Sequence, residues 1–317
     1  MLGLISICGI SFLTDKNKLP DWKIKSGKTD SSGIAWAKFY WGNISIGKKE
    51  YKKAFMHIPV KVEGLPYNFS FQWDLGATTV IYEQNAKSVF QYYPEFKHQV
   101  SRLKSILQFW NSIKIFKNLT LNFGDITAIA SYCEYKINYG EKLNLERSTD
   151  SSIFQLGSIG ADLFQNKILI IDYPNERFAV CDSMPDFYKV SFSDIELDQS
   201  GRVLLPLHFR NKNYKILFDN GSSMFPLLVT DDRINEFSTA PATDTLDINS
   251  WGIIHKVISR PIKDSFQLGG QTFSNIMIYT EFRKEARTDH YDAIAGNVLF
   301  WNKTIVIDFK NRKFGVR

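Results

Sequence analysis

The sequence is poor in cysteine, and the cysteines it has are not spaced for a metal site. Among 317 residues, cysteine occurs only as Cys8, Cys133 and Cys181, and no CxxC pair is present. The odd count excludes a disulfide scaffold and disfavours a zinc or iron–sulfur centre, while a single Cys133–Cys181 bridge stays open. We therefore predict no metal site and no other cofactor.

The motifs of two common hydrolase classes are also missing. The five histidines form no HExxH motif, which disfavours a metallopeptidase. The chain contains no GxSxG motif, which disfavours a serine hydrolase. These absences and the scarcity of cysteine fit chemistry carried out by carboxyl groups and water.

Long apolar runs are absent after the first residues. Residues 1–13 (MLGLISICGISFL) are apolar, but they have no basic leader and are shorter than the roughly 18 residues of a membrane helix. This segment resembles the end of a signal peptide, and residues 5–8 (ISIC) resemble a loose lipobox in which Cys8 would carry lipid. We predict export, as a periplasmic, secreted or lipid-anchored protein. A buried first strand in a cytoplasmic protein is the alternative.

The composition is that of a folded, globular chain. Apolar residues make up 44% and aromatic residues 15%, which is enough for sizeable hydrophobic cores. The net charge of +6 comes from basic residues scattered in short groups, which favours a solvated surface over a nucleic-acid-binding groove. A length of 317 residues favours two domains, and no flexible linker separates them.

Two copies of one sequence pattern lie in the chain, which supports the prediction of two domains. In residues 58–78, two strand-like runs lead into the motif DLGAT, and in residues 205–223 two similar runs lead into DNGSS. A second pair of segments, residues 159–180 and 295–316, follows in the same order, and twelve residues separate Gly160 from Asp172 and Gly296 from Asp308. A closing hairpin, with turns at Asn175 and Asn311, is predicted for both.

The repeat sets the predicted domain organisation. We expect an N-terminal extension over residues 1–46, a first lobe over 47–184 and a second lobe over 185–317. Most segments alternate apolar and polar residues and are rich in Ile, Val, Phe and Tyr, which is typical of strands. Apolar residues recur at three- and four-residue steps over residues 83–116, which predicts a helical insertion whose aromatic stripe packs on the first lobe.

The two motifs resemble the Asp-(Thr/Ser)-Gly-(Ala/Ser) loops of aspartic peptidases, in the bilobal pepsin-like arrangement with bacterial retropepsin-like character in each half. The segments ending at Gly160 and Gly296 are similar to the family's apolar-apolar-Gly element, which packs beneath each loop. The resemblance implies a mostly β fold of two pseudo-symmetric, six-stranded, barrel-like lobes. It implies Asp74 and Asp219 as catalytic residues, supported by loop residues Gly76, Ala77, Thr78, Gly221, Ser222 and Ser223.

The chemistry that the resemblance implies is hydrolysis of peptide bonds. Two adjacent carboxyls share one proton, so that one activates a water molecule and the other protonates the scissile carbonyl. The expected partner is an extended polypeptide, and the expected state is a monomer. Hydroxyls of Ser222, and of Thr78 or Ser223, are candidates for hydrogen bonds to the carboxylates.

The sequence departs from the family pattern in two places. Leu75 and Asn220 stand where the family has Thr or Ser, and this motivates an alternative function, a catalytically silent protein that binds a polypeptide or glycan between the lobes. No clear flap motif is present. Tyr139-Gly140 and, better positioned, Trp251-Gly252 are the candidates, with ordinary hairpin residues as the competing interpretation. Structural roles are predicted for Asp162, Asp172 and Asp308.

Overall fold

A computed structural model describes residues 20–104, 112–185, 188, 190–250, 253–281 and 291–317. The elements of the first half are β1 (Trp22–Ser26), β2 (Trp36–Lys38), β3 (Tyr40–Ile46), β4 (Lys49–Val62), β5 (Asn68–Trp73), β6 (Val80–Tyr82), α1 (Glu83–Tyr92), β7 (Val100–Lys104), β8 (Ser112–Phe123), β9 (Ile126–Lys136), β10 (Ile153–Ile159), β11 (Ile168–Asp172) and β12 (Arg177–Cys181).

The second half repeats this order with some strands divided. Its elements are β13 (Ser191–Asp194), β14 (Glu196–Leu197), β15 (Val203–Phe209), β16 (Lys212–Phe218), β17 (Leu227–Thr230), α2 (Ile234–Phe237), β18 (Asp244–Ser250), β19 (Ile253–Ile262), β20 (Phe266–Leu268), β21 (Gln271–Phe273), β22 (Ile276–Glu281), β23 (Ala293–Ala295), β24 (Thr304–Asp308) and β25 (Lys313–Val316).

Each lobe is built around a ring of six strand positions, which confirms the predicted fold class. In the first lobe β4, β5, β10, β6, β9 and β8 pair in this order, and β8 pairs back with β4. In the second lobe β15, β16, β23, β17, β22 and β19 pair in the same order, and β20, which continues from β19, closes the ring on β15. Closure leaves few free sheet edges and encloses an apolar core.

A third sheet joins the lobes. It has the order β13-β25-β24-β11-β12-β2, so that each lobe contributes its closing hairpin to the centre. β11 and β24 are antiparallel, with Ile170 opposite Val306. Since these strands are equivalent in the repeat, a pseudo-two-fold axis passes between them. The two lobes are thereby placed so that equivalent loops face each other.

The predicted helix over residues 83–116 is too long. α1 ends at Tyr92, a 3-10 helix spans Pro94–Gln99, and β7 begins at Val100. Pro94 cannot continue the α-helical hydrogen bonding, and it restricts the residue before it. The aromatic stripe up to that point does pack on the lobe: Phe90 and Tyr93 contact the core and Phe96 is part of it. α2 is the four-residue counterpart of α1.

Residues 20–46 contribute three strands to the fold. β1 pairs with β9, β2 pairs with β12 in the central sheet, and β3 pairs with β4. The predicted lobe boundary at residues 184 and 185 falls between β12 and β13. The predicted signal or lipobox segment, with Cys8, lies outside the described residues. Within them, no helix is long and apolar enough to cross a membrane, and Cys133 and Cys181 are free thiols.

The closing hairpins are capped by the aspartates predicted to be structural. Asp172 accepts hydrogen bonds from the Asn175 side chain at 2.8 and 3.0 Å. Asp308 accepts one from the Asn311 backbone amide and one from its side chain, both at 2.8 Å. These bonds fix the turns, and both aspartates lie on the central sheet, away from the motif loops.

Candidate active site

Asp74 and Asp219 each follow a buried strand directly. Asp74 comes after β5 and Asp219 after β16, and both residues are 0% exposed. The backbone amide of Asp74 donates to Ile159 O at 2.9 Å, and that of Asp219 donates to Ala295 O at 2.9 Å. Each motif loop is thus held by the strand that precedes a glycine of the repeat.

Those glycines lie tightly against the loops. A Cβ atom at Gly160 would come within 2.2 Å of Ala77 O, and one at Gly296 within 2.3 Å of Ser222 O. No side chain fits between strand and loop at either place. The structure therefore places Gly160 and Gly296 beneath the two motifs, in the same relation to each.

The two loops approach each other crosswise, glycine against aspartate. A Cβ at Gly76 would lie 2.4 Å from Cγ of Asp219, and a Cβ at Gly221 would lie 2.8 Å from Cγ of Asp74. The two carboxyl groups share a hydrogen bond. The pseudo-two-fold axis thus brings together residues that are 145 positions apart, and the absent side chains of two glycines make room for them.

Asp219 is stabilised by its own loop. Its carboxylate accepts hydrogen bonds from the Gly221 amide and the Ser222 hydroxyl, both at 2.8 Å. Burial raises the pKa of Asp219, and the hydrogen bonds from Asp74, Ser222 and Gly221 oppose that rise. The residue equivalent to Ser222 in the first loop is Ala77, which has no hydroxyl. The two carboxyls are therefore not equivalent.

Asn220 links the two loops across the axis. Its side-chain Oδ1 accepts a hydrogen bond from the Leu75 amide at 2.6 Å, in a fully buried position. Its Nδ2 lies 3.7 Å from the sulfur of Met56 on β4. The Leu75 side chain packs in the hydrophobic core and donates nothing. The two loops are thus linked in one direction only, from the Leu75 amide to the Asn220 side chain, and the Leu75 side chain makes no equivalent bond in return.

We expect Asn220→Ala to lower the free energy of unfolding by about 1–3 kcal/mol, because it leaves the buried Leu75 amide without its acceptor. Asn220→Thr, which restores a shorter acceptor, should recover part of the loss. Urea denaturation of the three proteins at one pH measures both effects. An alanine variant as stable as the parent would mean that the 2.6 Å contact contributes nothing to holding the loops together.

Two hydroxyls predicted as candidates for hydrogen bonds to the carboxylates bond elsewhere. Thr78 lies 3.5 Å from a carboxylate oxygen of Glu134. Ser223 donates to Oδ1 of Asn297 at 2.6 Å. Both follow their aspartate by four positions, and their side chains bond to Glu134 and Asn297 rather than to the paired carboxyls. Ser222, which follows Asp219 by three positions, bonds to that carboxylate.

Two residues outside the motif support the first loop: Asp162, for which a structural role was predicted, and Arg202, which no sequence pattern singled out. Asp162 is completely buried and accepts hydrogen bonds from the Thr79 amide, the Thr79 hydroxyl and the Trp22 indole at 2.6 to 2.9 Å. Arg202 forms an ion pair with Asp198 at 2.5 Å and reaches Gly76 O at 3.4 Å. These contacts brace the first loop from outside the motif, and they join positions far apart in the chain.

The two flap candidates have different outcomes. Trp251-Gly252 lies outside the described residues, between β18 and β19. Tyr139-Gly140 lies in the loop after β9, and this loop is held to α1 by hydrogen bonds between Tyr139 O and the Gln84 amide and between the Glu141 amide and Asn85. The Tyr139 ring packs edge-on against Tyr82. Burial, and secondly the charge of Asp74, raise the pKa of the Tyr139 phenol, so this residue is near the site but in a fixed loop.

No family model matches the chain, and no curated protein matches it. Among solved structures, the crystal structure of an aspartic proteinase from Irpex lacteus is similar to it, with a TM-score of 0.46 and 12% sequence identity over 83% of this chain and 94% of that chain. An identity this low concerns the fold alone, and the TM-score lies below 0.5. The loops, glycines and carboxyls of this chain have to support any functional conclusion.

Proposed function

We propose that the protein is an aspartic-type endopeptidase. The observation that supports this best is the crosswise approach of Gly76 to Asp219 and of Gly221 to Asp74, which leaves two buried carboxyls in hydrogen-bond contact. Two carboxyls in such contact cannot both ionise at low cost, so that they hold one proton between them over a range of pH. A purely structural pair of aspartates would not need two glycine-lined loops related by a two-fold axis.

The donors around the pair support one assignment of roles. Asp219 accepts hydrogen bonds from the Gly221 amide and the Ser222 hydroxyl, and these bonds favour its ionised form. Ala77, which is equivalent to Ser222, supplies no hydroxyl to Asp74. In the proposed mechanism Asp219 takes a proton from the attacking water molecule. Asp74 carries the shared proton and donates it to the scissile carbonyl oxygen. Asp219 then gives its proton to the leaving nitrogen as the C–N bond breaks, and Asp74 takes one back from a hydroxyl of the diol, so that a new carboxyl group and a new amine form with no covalent intermediate on the protein.

We also propose an oligomeric state, a kind of substrate, an evolutionary origin and a location for the protein. Both aspartates come from one chain, so we propose a monomeric enzyme with an extended polypeptide as substrate. Each half carries its own loop, glycine segment and closing hairpin, which fits descent from a bacterial, retropepsin-like half-sized ancestor. Export, with or without lipid on Cys8, stays a proposal drawn from residues 1–13.

A transition-state mimic of the pepstatin type tests the function independently of the substrate sequence. We expect the protein to bind it at acidic pH, because its hydroxyl group replaces the water between one protonated and one ionised carboxyl. The pair titrates as a unit, and burial raises the pKa of Asp219, so the shared proton should be kept above the ordinary carboxyl pKa and binding should weaken only as the pH rises beyond that range. Calorimetric titration from about pH 3 to pH 8 measures this.

A matched control is available in the same chain. Asp308→Asn changes a structural aspartate of a hairpin turn and should leave binding unchanged, whereas Asp219→Asn should abolish it. Equal affinity at acidic and at mildly alkaline pH, or equal affinity of the Asp219→Asn variant, would contradict the proposal. Binding of peptides without any cleavage would favour the catalytically silent alternative that Leu75 and Asn220 motivate.

A further inference from the structure

A row of polar side chains crosses the first lobe beside Asp74. The strand register places His57 opposite Gln72, Gln72 opposite Ser158, and Ser158 opposite Val80. Side chains of directly paired residues lie on the same face of a sheet, and residues two apart on a strand share a face. Because Gln72 precedes Asp74 by two positions, this row lies on the face of the sheet toward which Asp74 points.

The second lobe has an equivalent row beside Asp219, and it is apolar. Leu204 lies opposite Leu217, Leu217 opposite Ile294, and Ile294 opposite Leu228. Leu217 precedes Asp219 by two positions, as Gln72 precedes Asp74, and Ile294 precedes Gly296 by two, as Ser158 precedes Gly160. All four members belong to one hydrophobic cluster. The pseudo-symmetry of the lobes is therefore broken at the residue two positions before each aspartate and at its neighbours across the sheet.

In the first row, Nδ1 of His57 and Nε2 of Gln72 have no hydrogen-bond partner in the described part of the chain. Gln72 is 2% exposed, His57 is 9% exposed, and the Tyr40 ring stacks on the imidazole with 5.3 Å between centroids. Burial lowers the pKa of His57 to about 4, so that the imidazole is neutral in mildly acidic solution. A buried amide donor and a buried neutral imidazole are groups that a hydrogen-bonding ligand would satisfy.

We propose that these rows set the substrate preference on the two sides of the scissile bond, an inference that rests on the proposed peptidase function. The residue lying over the His57–Gln72–Ser158 row is one with an uncharged side chain bearing an acceptor oxygen, such as Gln or Asn. The residue lying over the Leu204–Leu217–Ile294 row is a large apolar one. A charged side chain on the polar row would lose its hydration without gaining an opposite charge from His57, Gln72 or Ser158.

The burial of the row is consistent with this role. Asp74 and Asp219 are themselves 0% exposed in this structure. The opening that admits a peptide to the two carboxyls therefore also has to uncover the residues next to them. Gln72 is separated from Asp74 by a single residue of the same strand, so a peptide in contact with the carboxyl also lies within reach of the row.

The test uses reduced-amide peptides, which cannot be cleaved. Two peptides differ only in having Gln or Leu next to the central bond, and they are compared once with this residue on the N-terminal side of the bond and once with it on the C-terminal side. We expect the full-length protein to bind the Gln peptide about 10- to 100-fold more tightly than the Leu peptide in one orientation, by calorimetry in mildly acidic buffer. The double variant Gln72→Leu, Ser158→Ile, which copies Leu217 and Ile294, should reverse that preference. Gln72→Met serves as a second, smaller change, and thermal unfolding confirms that each variant folds.

The outcomes separate this inference from the proposed function. Equal binding of both peptides, a preference for Lys or Glu in a third pair, or an unchanged preference in the double variant would overturn the inference while leaving peptidase activity intact. Binding of neither peptide would overturn both. Cleavage of a denatured protein, mapped by mass spectrometry, gives the second readout, and Asp74→Asn provides the inactive control.

Discussion

Asp74→Asn and Asp219→Asn are each expected to lower the rate of peptide cleavage by about 10²–10⁴-fold, the typical contribution of a positioned general acid or base. An amide in place of Asp219 cannot take a proton from water, and an amide in place of Asp74 cannot pass the shared proton to the carbonyl. The measurement is cleavage of a denatured protein substrate from acidic to mildly alkaline pH. If both variants kept full activity, the assignment of the pair would be wrong.

The same variants should remain folded, and the pH dependence of their stability gives an independent check. Burial raises the pKa of Asp219, so that the folded protein binds a proton more tightly than the unfolded chain. Stability contributed by this group is therefore complete below the ordinary value of 3.8 and is lost as the pH rises through the raised value. Asp219→Asn should remove this pH-dependent loss of stability. The loss is about 1.4 kcal/mol in the free energy of unfolding for every tenfold difference in proton affinity between the folded and the unfolded chain.

Gly76→Ala should be nearly as damaging to activity, by a steric route. The new Cβ would meet Cγ of Asp219 at 2.4 Å, and the obstructing group is a carboxyl held by Gly221 and Ser222. The loops must separate, and displacing reacting groups by about 1 Å costs on the order of 100-fold in rate. Overpacking should also lower the free energy of unfolding by about 1–3 kcal/mol.

Two further variants interpret the Gly76→Ala result. Gly221→Ala should act in the same way, since its Cβ would lie 2.8 Å from Cγ of Asp74. Gly124→Asn is the matched control, because Gly124 has a positive φ of 65° that Asn tolerates and nothing in the described part of the chain lies within 4 Å of its Cβ position. Normal cleavage rates and stability in Gly76→Ala would mean that the two loops are not packed as described.

Much of the fold follows from local sequence. The strands flanking both motifs, the closing hairpins with Asn175 and Asn311, and the two-lobe division are all visible as repeated patterns, because strand periodicity and turn residues act over a few positions. The helix prediction was wrong where the same kind of local evidence was ambiguous. Aromatic and branched residues from Val100 onward recur at near-helical steps, yet residues 100–104 and 112–116 pair with each other as the antiparallel strands β7 and β8.

The site could be predicted only in part. The repeat, together with the resemblance of its two motifs to aspartic peptidase loops, predicted that Asp74 and Asp219 belong to one site. The partners of Thr78 and Ser223 could not be read from the motifs, because whether a hydroxyl points to the carboxylate or to Glu134 and Asn297 depends on loop packing. Asp162 and Arg202 act on the loops from positions far away in the chain.

The sequence by itself determined that this chain is a duplicated, mostly β protein with one Asp-x-Gly loop per half, because these properties are written in residue order and spacing. The tertiary structure decided what the halves do to each other: the crosswise fit of glycine and aspartate, the single Asn220 link and the unequal donors around the two carboxyls. It also decided which side chains line each aspartate. Register between strands far apart in the chain places Ser158 beside Gln72 and Ile294 beside Leu217, and that pairing depends on the packing of the whole lobe.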